Sequence, residues 1–393
     1  MTILRGRQFL HTPGPTNMPD RILRAMDRPA IDHRSPEFKL LAGECFDGLR
    51  GVFKTKHPVL VFPAAGHGAW EAALVNTCSA GDKVLMAETG AFSDMWKKMA
   101  VALGLSVEYL PGDWRHGANP DAVYDRLAED GAHSIRAVAI VHNETSTGVT
   151  TRLSEVREAI DRANHPALFL VDTISSLASM EFCMDEWRVD VAVGGSQKGL
   201  MLPPGLSFNS VNKKALVSAR SSRMPRQYWD WNALLPDGKT PGFLSTPSIN
   251  MFFGLHEALI MLNEEGLDRV FARHARLAGA VRQAVSHWGR EGAVELLSKD
   301  PREHSNSVSA ILMADRYNAD NLRAACMKHT TVALAAGLGR FSGKVFRIGH
   351  LGDLNEPMIL GTLSAIEMTL KKTGVAYRPG GTTAAIDYLA GSI

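Results

Sequence analysis

The chain has 393 residues, of which 45% are hydrophobic and 21% are charged, a composition that excludes a disordered or fibrous protein. Its length exceeds what one hydrophobic core usually serves, so we expect two domains. The 43 basic and 41 acidic residues leave a net charge of +2, which gives no electrostatic basis for binding nucleic acid or an anionic membrane, and small molecules are the expected partners.

Residues 58–212 alternate short β-rich runs with amphipathic segments, a pattern typical of βαβ units around a mostly parallel sheet. The pattern predicts seven strands, at residues 58–64, 83–88, 106–110, 137–144, 167–172, 189–195 and 205–211. Helices are predicted in the gaps, at residues 67–78, 92–104, 120–130 and 154–164. Ser154, with Glu158 nearby, predicts a capped start for the last of these helices.

The character of the chain changes after Arg220, where a polar stretch rich in Trp and Pro runs to Pro247. Two helices are predicted next, at 249–266 and 267–289, and the second is long enough to link two domains. Short strands are then predicted at residues 307–313 and 344–352, and helices at 318–329 and 356–374. We therefore predict an α/β protein built from an N-terminal arm (1–20), a large domain (21–262) and a smaller α+β C-terminal domain (263–393).

Ligands of open α/β sheets bind beyond the carboxyl ends of the strands, so the residues that follow each strand are candidates for a site. The first strand is followed by "PAAGHGAWEAA", in which Ala65, Gly66 and His67 open a helix. Backbone N–H groups and the helix dipole can hold a phosphate at such a position. An ordinary strand-to-helix turn has the same sequence character, and both readings stay open at this point.

Two charged residues follow strongly apolar strands. Asp172 ends "ALFLVD" and, considered alone, would serve as a helix cap or turn residue, whereas Lys198 lies in "VGGSQKGLMLPPGL" without an acidic neighbour in the chain. Burial lowers the pKa of a lysine, and the neutral amine is a nucleophile toward carbonyl groups. Together with a phosphate site, the pair predicts pyridoxal 5′-phosphate (PLP), an aldehyde cofactor that forms a Schiff base with lysine and needs a carboxylate at its ring nitrogen.

Other cofactors are not favoured. The segment "GLGRFSGKV" has Leu338 and Val345 where a Walker loop needs Gly and Ser or Thr, so we predict a loop before a strand. The four cysteines form no CxxC pair and the histidines lack the spacing of metal ligands, so no metal site is predicted. No stretch has the length of a signal-peptide core or a membrane span, and we expect a cytoplasmic protein without disulfides.

Motifs along the chain resemble, in the same order, those of the class V, fold type I PLP-dependent aminotransferases. They include "DHRSPEF", "VHNETSTGV", "LFLVDTISS", "GGSQKGLMLPPG", "TPSIN" and "KVFRIGHLG", and the resemblance runs from about Thr12 to the C-terminus. It implies a ping-pong reaction in which L-serine gives up its amino group and leaves as hydroxypyruvate. Glyoxylate then takes the amino group and becomes glycine.

The resemblance also implies which residues bind the cofactor. Lys198 would link to PLP and move a proton between substrate and cofactor, Asp172 would hold the ring nitrogen, and Thr145 would lie near the ring hydroxyl. Phe92 and Ile174 would contact the two faces of the ring. The phosphate would be held by Ala65, Gly66, His67 and Gln197, and by Thr246 from the partner subunit of a homodimer.

For the substrate, the resemblance assigns the α-carboxylate to Arg347, whose planar guanidinium suits this anion. His33 and Arg34 would lie near the pocket for the substrate side chain, and His33 and Phe243 stand where relatives carry tyrosine. Three alternatives stay open: alanine as the amino donor, a non-catalytic PLP-fold binding protein, and a cysteine desulfurase. The last would need a nucleophile such as Cys326, which a helical pattern predicts to be buried.

Overall fold

The structure is a computed structural model that describes residues 8–237 and 240–392, so residues 1–7 of the predicted arm lie outside the described residues. The strands, in chain order, are β1 (Phe9–His11), β2 (Val59–Phe62), β3 (Lys83–Ala87), β4 (Ser106–Leu110), β5 (Ile135–Val141), β6 (Asn143–Glu144), β7 (Val149–Thr150), β8 (Leu168–Asp172), β9 (Val191–Gly195), β10 (Ser207–Val211), β11 (Val294–Leu296), β12 (Val308–Met313), β13 (Val332–Ala336) and β14 (Val345–Gly349).

The helices are, in the same order, α1 (Asp20–Met26), α2 (Pro36–Val52), α3 (Gly66–Thr77), α4 (Ala91–Ala102), α5 (Pro120–Ala128), α6 (Leu153–Arg162), α7 (Lys213–Ser221), α8 (Trp231–Leu234), α9 (Ile249–Glu265), α10 (Leu267–Trp288), α11 (Ala319–Thr330), α12 (Glu356–Thr373) and α13 (Gly381–Ala390). Among the described residues, none of these helices combines the length and the apolar character needed to cross a bilayer.

The larger sheet has seven strands in the order β2-β10-β9-β8-β5-β3-β4, and each corresponds to one of the predicted strands. β10 runs antiparallel to both of its neighbours, β2 and β9, whereas the other neighbouring pairs are parallel. Along β3, Leu85 faces one apolar core and Val84 and Met86 face the other, so both faces of the sheet are covered. The predicted α/β class with a mostly parallel sheet is confirmed.

The strand order brings the residues after β8 and β9 together. β8 ends at Asp172 and pairs in parallel with β9, with Asp172 opposite Val193. Parallel neighbours end at the same edge of a sheet, so the loop that carries Lys198 begins beside the Asp172 carboxylate. The strand predicted at 137–144 is interrupted at His142. β5 ends at Val141, and the last two residues of the predicted strand form β6, which pairs with β7.

A second sheet has five strands in the order β1-β13-β14-β12-β11. β1 comes from the N-terminal arm and runs parallel to β13, with His11 opposite Leu334, so the start of the chain completes the C-terminal sheet. The remaining neighbours pair antiparallel. The predicted loop at 337–345 is confirmed, because a short turn over Gly339–Phe341 precedes β14.

The long helix α10 contributes to the cores of both sheets. Val270 near its start packs in a core of the large sheet, whereas Leu277 and Trp288 pack against the five-stranded sheet. A helix of this kind connects the two parts of the chain, as the sequence predicts. The domain boundaries after residues 20 and 262 remain proposals.

The predicted cap of α6 is wrong. The helix begins at Leu153, one residue before Ser154, and its N-cap residue is Arg152, which makes no capping hydrogen bond. Arg152 forms ion pairs with Glu155 and with the buried Glu303 instead. The start of the helix is therefore set by a tertiary contact that the local sequence does not reveal.

Candidate active site

Lys198 is buried, and its Nζ donates a hydrogen bond to the backbone carbonyl of Pro13 in the N-terminal arm. Burial lowers the pKa of this amine to about 8, with a further lowering by the charge of Arg347 and an opposing effect of Asp172. Arg347 and Asp172 are therefore both close enough to influence the Lys198 amine. An amine with this pKa is neutral in an appreciable fraction of molecules near pH 7, as a base or a nucleophile must be.

Asp172 is a buried carboxylate at the end of β8, and its Oδ1 accepts a hydrogen bond from the Ile174 N–H at 2.7 Å. Burial raises its pKa to about 7, while the Ile174 N–H and the nearby Trp70 indole favour the ionised form. Trp70 Nε1 is itself buried and reaches no partner with hydrogen-bond geometry among the described residues. The hydrogen bonds to Asp172 do not offset the cost of burying its charge, so a cation beside the carboxylate would stabilise the ionised form.

Arg347 lies in the middle of β14 and is buried, in contrast to the surface role that an isolated arginine of a second domain would suggest. Its Nε donates to Ala336 O and its Nη1 to Thr145 O, both at 2.8 Å. Burial lowers its pKa to about 10, and no carboxylate of the described residues forms an ion pair with it. Two backbone carbonyls orient the guanidinium while its charge stays unpaired, which suits a site for an anionic ligand.

The segment Asn143–Thr147, just after β5, connects these groups. Thr145 Oγ1 donates to Ser175 Oγ at 2.7 Å, which places Thr145 beside the residues that follow Asp172. Asn143 Nδ2 donates to the same Ser175 Oγ at 2.7 Å and to Ser307 Oγ at 2.8 Å. The segment therefore joins the edge of the large sheet to the C-terminal part of the chain.

The residues predicted to hold a phosphate lie around the start of α3. Ala65 is the N-cap residue of α3, Gly66 is its first residue, and His67 follows with its ring 4.5 Å from that of Trp70. Gln197 Oε1 is buried and has no hydrogen-bond partner among the described residues. The N–H groups at a helix start can donate to an anion, and a glutamine side chain can do so through its Nε2 group, whereas Oε1 only accepts.

Phe92 and Ile174, predicted to contact a ring, are both half-buried and approach the same region. A Cβ on Gly66 would lie 2.3 Å from Ile174 Cδ1, so the absence of a side chain at Gly66 admits Ile174 against the start of α3. The ring of Phe92 lies edge-on to Trp70, with 6.4 Å between the centroids. Both side chains therefore border the space next to Asp172 and α3.

Three predicted residues are not brought to this site within the single chain. His33 Nδ1 lies 3.7 Å from Asp32, and the exposed Arg34 uses its backbone N–H to bond Asp32. Neither side chain forms a hydrogen bond or ion pair with Lys198 or Arg347 among the described residues. Thr246 is exposed and lines a small cavity together with Phe243, whose ring packs on the apolar core.

The sequence analysis overlooked Pro13 and Glu144. Pro13 contacts Lys198 from 185 positions away in the chain, and nothing in the local sequence signals such a contact. Glu144 could have been found by the reasoning that identified Asp172, because it is an acidic residue directly after the apolar β5 run. It is fully buried, and burial raises its pKa.

Comparisons with known proteins identify the family of the chain. The family model described as aminotransferase class-V matches residues 9–343. The chain is similar to the serine–glyoxylate aminotransferase of Methylorubrum extorquens, with 46% identity over 98% of this chain and 96% of the relative. It is also similar to the L-aspartate–glyoxylate aminotransferase of Paracoccus denitrificans, with 41% identity over 95% of this chain and 93% of the relative.

A solved structure has the same fold. The ureidoglycine–glyoxylate aminotransferase of Bacillus subtilis superposes with a TM-score of 0.89 at 26% identity, over 99% of this chain and 100% of that one. Similarity over nearly the full length of each relative covers both sheets and every element of the site described above. The chain therefore belongs to the class V aminotransferase family and has the fold type I architecture of its members.

Proposed function

We propose that the protein catalyses a PLP-dependent transamination in which L-serine and glyoxylate become hydroxypyruvate and glycine. The proposal rests above all on one observation: a buried amine (Lys198) and a buried carboxylate (Asp172) follow neighbouring strands of the large sheet, and a buried guanidinium without a carboxylate partner (Arg347) reaches them from β14 of the second sheet. The Methylorubrum extorquens relative, a serine–glyoxylate aminotransferase, supports this choice of substrates.

The residues present fit PLP. The cofactor offers a phosphate, a ring nitrogen that carries a proton, and an aldehyde. The first N–H groups of α3 can donate to a phosphate, as can the Nε2 group of Gln197, and the buried Trp70 Nε1 is a further donor that lacks a partner among the described residues. Asp172 is a carboxylate that burial destabilises, so a protonated ring nitrogen would compensate it.

In this proposal the phosphate is held by Ala65, Gly66, His67 and Gln197, with Thr246 added from a partner subunit. Phe92 and Ile174 enclose the ring, and Thr145 lies by its hydroxyl group. When bound, PLP supplies an electron sink that stabilises negative charge at the substrate Cα. The protein's contribution is to bind, orient and exclude water, and to move the proton.

Lys198 carries out the proton transfer. Its amine has a pKa of about 8, so near neutral pH it could take a proton from the substrate Cα and return it at the carbon that was the aldehyde carbon of the cofactor. Arg347 binds the α-carboxylate and thereby fixes which bond at Cα faces the amine. Because serine and glyoxylate both carry a carboxylate beside the reacting carbon, one arginine and one lysine serve both halves of the reaction.

The amino donor is the finer part of the proposal. The aspartate–glyoxylate relative from Paracoccus denitrificans makes aspartate a second candidate. Aspartate has a second carboxylate and would need a further cation besides Arg347, and neither His33 nor Arg34 is joined to the site within the described residues. The hydroxyl group of serine needs only a hydrogen-bond partner, so we favour serine, with alanine as the third donor to compare.

We also propose that the enzyme acts as a cytoplasmic homodimer. Thr246 is exposed and lies at a small cavity together with Leu244 and Tyr228, two of the exposed large hydrophobic residues. Apolar side chains grouped around a cavity are expected where a second subunit covers the surface. Such a partner would bring Thr246 to the phosphate of the neighbouring site.

The test is a product assay on the purified enzyme with PLP, glyoxylate and one donor at a time. We expect equal amounts of glycine and hydroxypyruvate from serine, with a kcat/KM at least about tenfold above those for alanine and aspartate. Better turnover of another donor would correct the substrate while leaving transamination in place. Absence of glycine with every donor would refute the proposed function.

Two lysine variants sharpen this assay. Lys198→Ala should form neither product, because no other lysine of the described residues contacts this site. Lys214 is the matched control, since its Nζ donates to Ala167 O at 2.8 Å at the amino end of β8, the opposite edge of the sheet. Lys214→Ala should retain the wild-type rate, and a Lys198→Ala enzyme with near-wild-type turnover would refute the role of Lys198.

A further inference from the structure

The helix α4 carries Phe92 in its first turn, and its local capping contact is limited to Ser93 Oγ, which accepts from Gly90 N at 3.1 Å. Its N-cap residue is Gly90, which has no side chain to accept hydrogen bonds. The first N–H groups bond instead to residues more than fifty positions away: Phe92 N to Glu144 Oε1 at 3.2 Å, and Ser93 N to Glu144 Oε2 at 3.0 Å. Ala91 N bonds to Ser146 Oγ at 2.9 Å. The segment after β5 therefore supplies the cap.

Glycine at position 90 is what allows this arrangement. A Cβ there would lie 2.3 Å from Glu144 Cγ and 2.5 Å from Ser146 Oγ, closer than real contacts allow. A side chain of the usual capping type, such as Ser or Asp, would therefore exclude Glu144. The chain uses a distant carboxylate in place of a local cap.

Burying the Glu144 carboxylate costs free energy, so we expect this residue to have a function beyond capping. The residue is fully buried and forms no ion pair with a cation of the described residues. Its carboxylate accepts two further hydrogen bonds, from Ser146 N at 3.1 Å and Ser146 Oγ at 2.6 Å, and it faces the positive end of the α4 dipole. A local serine could satisfy the helix without burying a charge. The distant carboxylate adds a fixed position of α4 relative to the segment after β5.

We propose, on the basis of the function proposed above, that Glu144 is a positioning residue for transamination, because it ties Phe92 to the segment that also orients Arg347. The backbone carbonyl of Thr145, the next residue, accepts the Arg347 Nη1 hydrogen bond at 2.8 Å. Thr145 Oγ1 in turn bonds Ser175 at 2.7 Å. The segment Asn143–Thr147 thus positions both Phe92, which would contact the cofactor ring, and Arg347, which would bind the substrate carboxylate.

The charge of Glu144 supports Arg347 but opposes the ionised form of Asp172 as long as no cation lies beside that carboxylate. It raises the pKa of Arg347, which favours the charged guanidinium, and it also raises the pKa of Asp172. A neutral residue of the same shape would remove both effects and leave one N–H of the first turn of α4 without an acceptor. Glu144→Gln is therefore the informative change, and Glu144→Asp keeps the charge while shortening the reach.

The experiment measures PLP affinity and, in the cofactor-free protein, the near-ultraviolet circular dichroism of Trp70 and Trp96. Trp96 lies on α4 and stacks on Trp70 with 5.7 Å between centroids and 14° between planes, so the part of the signal of the seven tryptophans that Trp96→Phe removes reports the position of α4. For Glu144→Gln we expect the Kd for PLP to rise about tenfold, the loss of roughly one charged cap. The tryptophan signal should weaken, and Glu144→Asp should fall between this variant and the wild type.

Asp130→Asn is the matched control. Asp130 is also a buried carboxylate that accepts a backbone and a hydroxyl hydrogen bond, from Ile135 N and from Ser134 Oγ at 2.7 Å each, and it contacts His165 Nε2 at 3.2 Å, but it lies beyond α5 and away from the site. The Asp130→Asn substitution should lower the free energy of unfolding without changing PLP affinity or the tryptophan signal. Wild-type affinity in Glu144→Gln, or a tryptophan signal equal to that of the wild type, would overturn the proposal.

If Glu144→Gln does not fold, Ser146→Ala decides, because it removes the acceptor of Ala91 N and keeps the charge. It should weaken PLP binding in the same direction by about threefold, and unchanged binding would overturn the proposal. The two proposals fail separately. A wild-type protein that binds PLP but aminates no glyoxylate refutes the function, whereas the tryptophan signal of the cofactor-free variants tests Glu144 alone.

Discussion

The amine of Lys198 illustrates how burial changes the chemistry of one side chain. Its hydrogen-bond acceptor is the neutral carbonyl of Pro13, and not a carboxylate that would hold it as an ammonium ion. Burial and the charge of Arg347 lower its pKa, and the opposing Asp172 does not restore it. The site therefore orients the amine while leaving it partly unprotonated, which is the state that a base requires.

This arrangement predicts the pH dependence of Lys198 in the cofactor-free protein. Only the neutral amine reacts with acetic anhydride, so the rate of acetylation at Lys198 should rise with a midpoint near pH 8, below the ordinary lysine value of 10.5. Peptide mass spectrometry after brief labelling at a series of pH values measures this profile.

Lys98 gives the internal reference for the labelling, because its side chain is 71% exposed and appears in the same digest. Asp172→Asn should move the Lys198 midpoint further down, since the remaining negative charge near the amine is removed. A Lys198 profile that coincides with that of Lys98 would contradict the assignment of a perturbed amine.

At the scale of residues, the sequence predicts positions better than partners. Asp172 and Lys198 can be placed on one edge because strand ends and parallel order follow from apolar runs. Glu144 follows an apolar run in the same way, yet its partners are backbone N–H groups of a helix 51 and 52 positions earlier. Such pairings depend on the strand order, which a single sequence does not specify, so the role of Glu144 emerges only in the folded chain.

At the scale of elements, the N-terminal arm is part of the site. It adds β1 to the C-terminal sheet and then turns over Lys198 through Pro13 and Gly14. Gly14 has a φ of +104°, and a Cβ on it would lie 2.4 Å from Lys198 Cδ and 2.7 Å from Lys198 Nζ. Both the backbone conformation and the close approach require glycine.

Gly14→Ala should therefore impair catalysis more than stability. The added methyl group forces Lys198 to move, and a displacement of about 1 Å at a catalytic group can lower kcat on the order of a hundredfold. The positive φ should cost about 1 kcal/mol of unfolding free energy in addition. Steady-state kinetics with serine and glyoxylate, together with urea unfolding, measure the two effects.

Gly81→Ala separates the backbone effect from the contact. Gly81 has a φ of +87°, and nothing lies within 4 Å of a Cβ built on it. This variant should lose a similar amount of stability and keep the wild-type kcat. Equal losses of kcat in the two variants would show that the arm does not control the position of Lys198.

Among the elements, the sequence predicts the large sheet well and the C-terminal sheet in part. The seven strands of the large sheet are apolar runs separated by helices, so periodicity alone identifies them. β13, "VALAA", and β1, "FLH", are short and carry little alternation, and they become strands because β14 and β13 offer them edges to pair with. The start of α6 was misplaced for a related reason, since Arg152 is held by the distant Glu303.

At the scale of the whole molecule, acid should unfold the protein through its buried histidines. Burial lowers the pKa of His11 and His274 to about 4, and that of His142 and His350 to about 3. In the unfolded chain each would titrate near 6.5, so between this value and the folded pKa the unfolded state binds more protons. Stability from these groups is therefore present above about pH 6.5 and falls as the pH is lowered toward 4.

His142 allows this contribution to be isolated. It is buried between the rings of Phe182 and Trp187, each 6.0 Å away, and its Nδ1 has no hydrogen-bond partner among the described residues. His142→Leu places an apolar side chain of similar size at this position and removes the titrating group. Between pH 7.5 and pH 5 the wild type should lose about 2 kcal/mol of unfolding free energy through this one histidine, and the variant should not.

Urea unfolding of both proteins at the two pH values measures the difference, and any opposing contribution of Asp172 cancels because both proteins contain it. His116 gives the matched control, since its side chain is 51% exposed and bonds Asp113 at the surface. His116→Leu should retain the wild-type pH dependence. If His142→Leu loses as much stability at pH 5 as the wild type does, the buried histidine is not what makes the fold sensitive to acid, and the source must be sought among His11, His274 and His350.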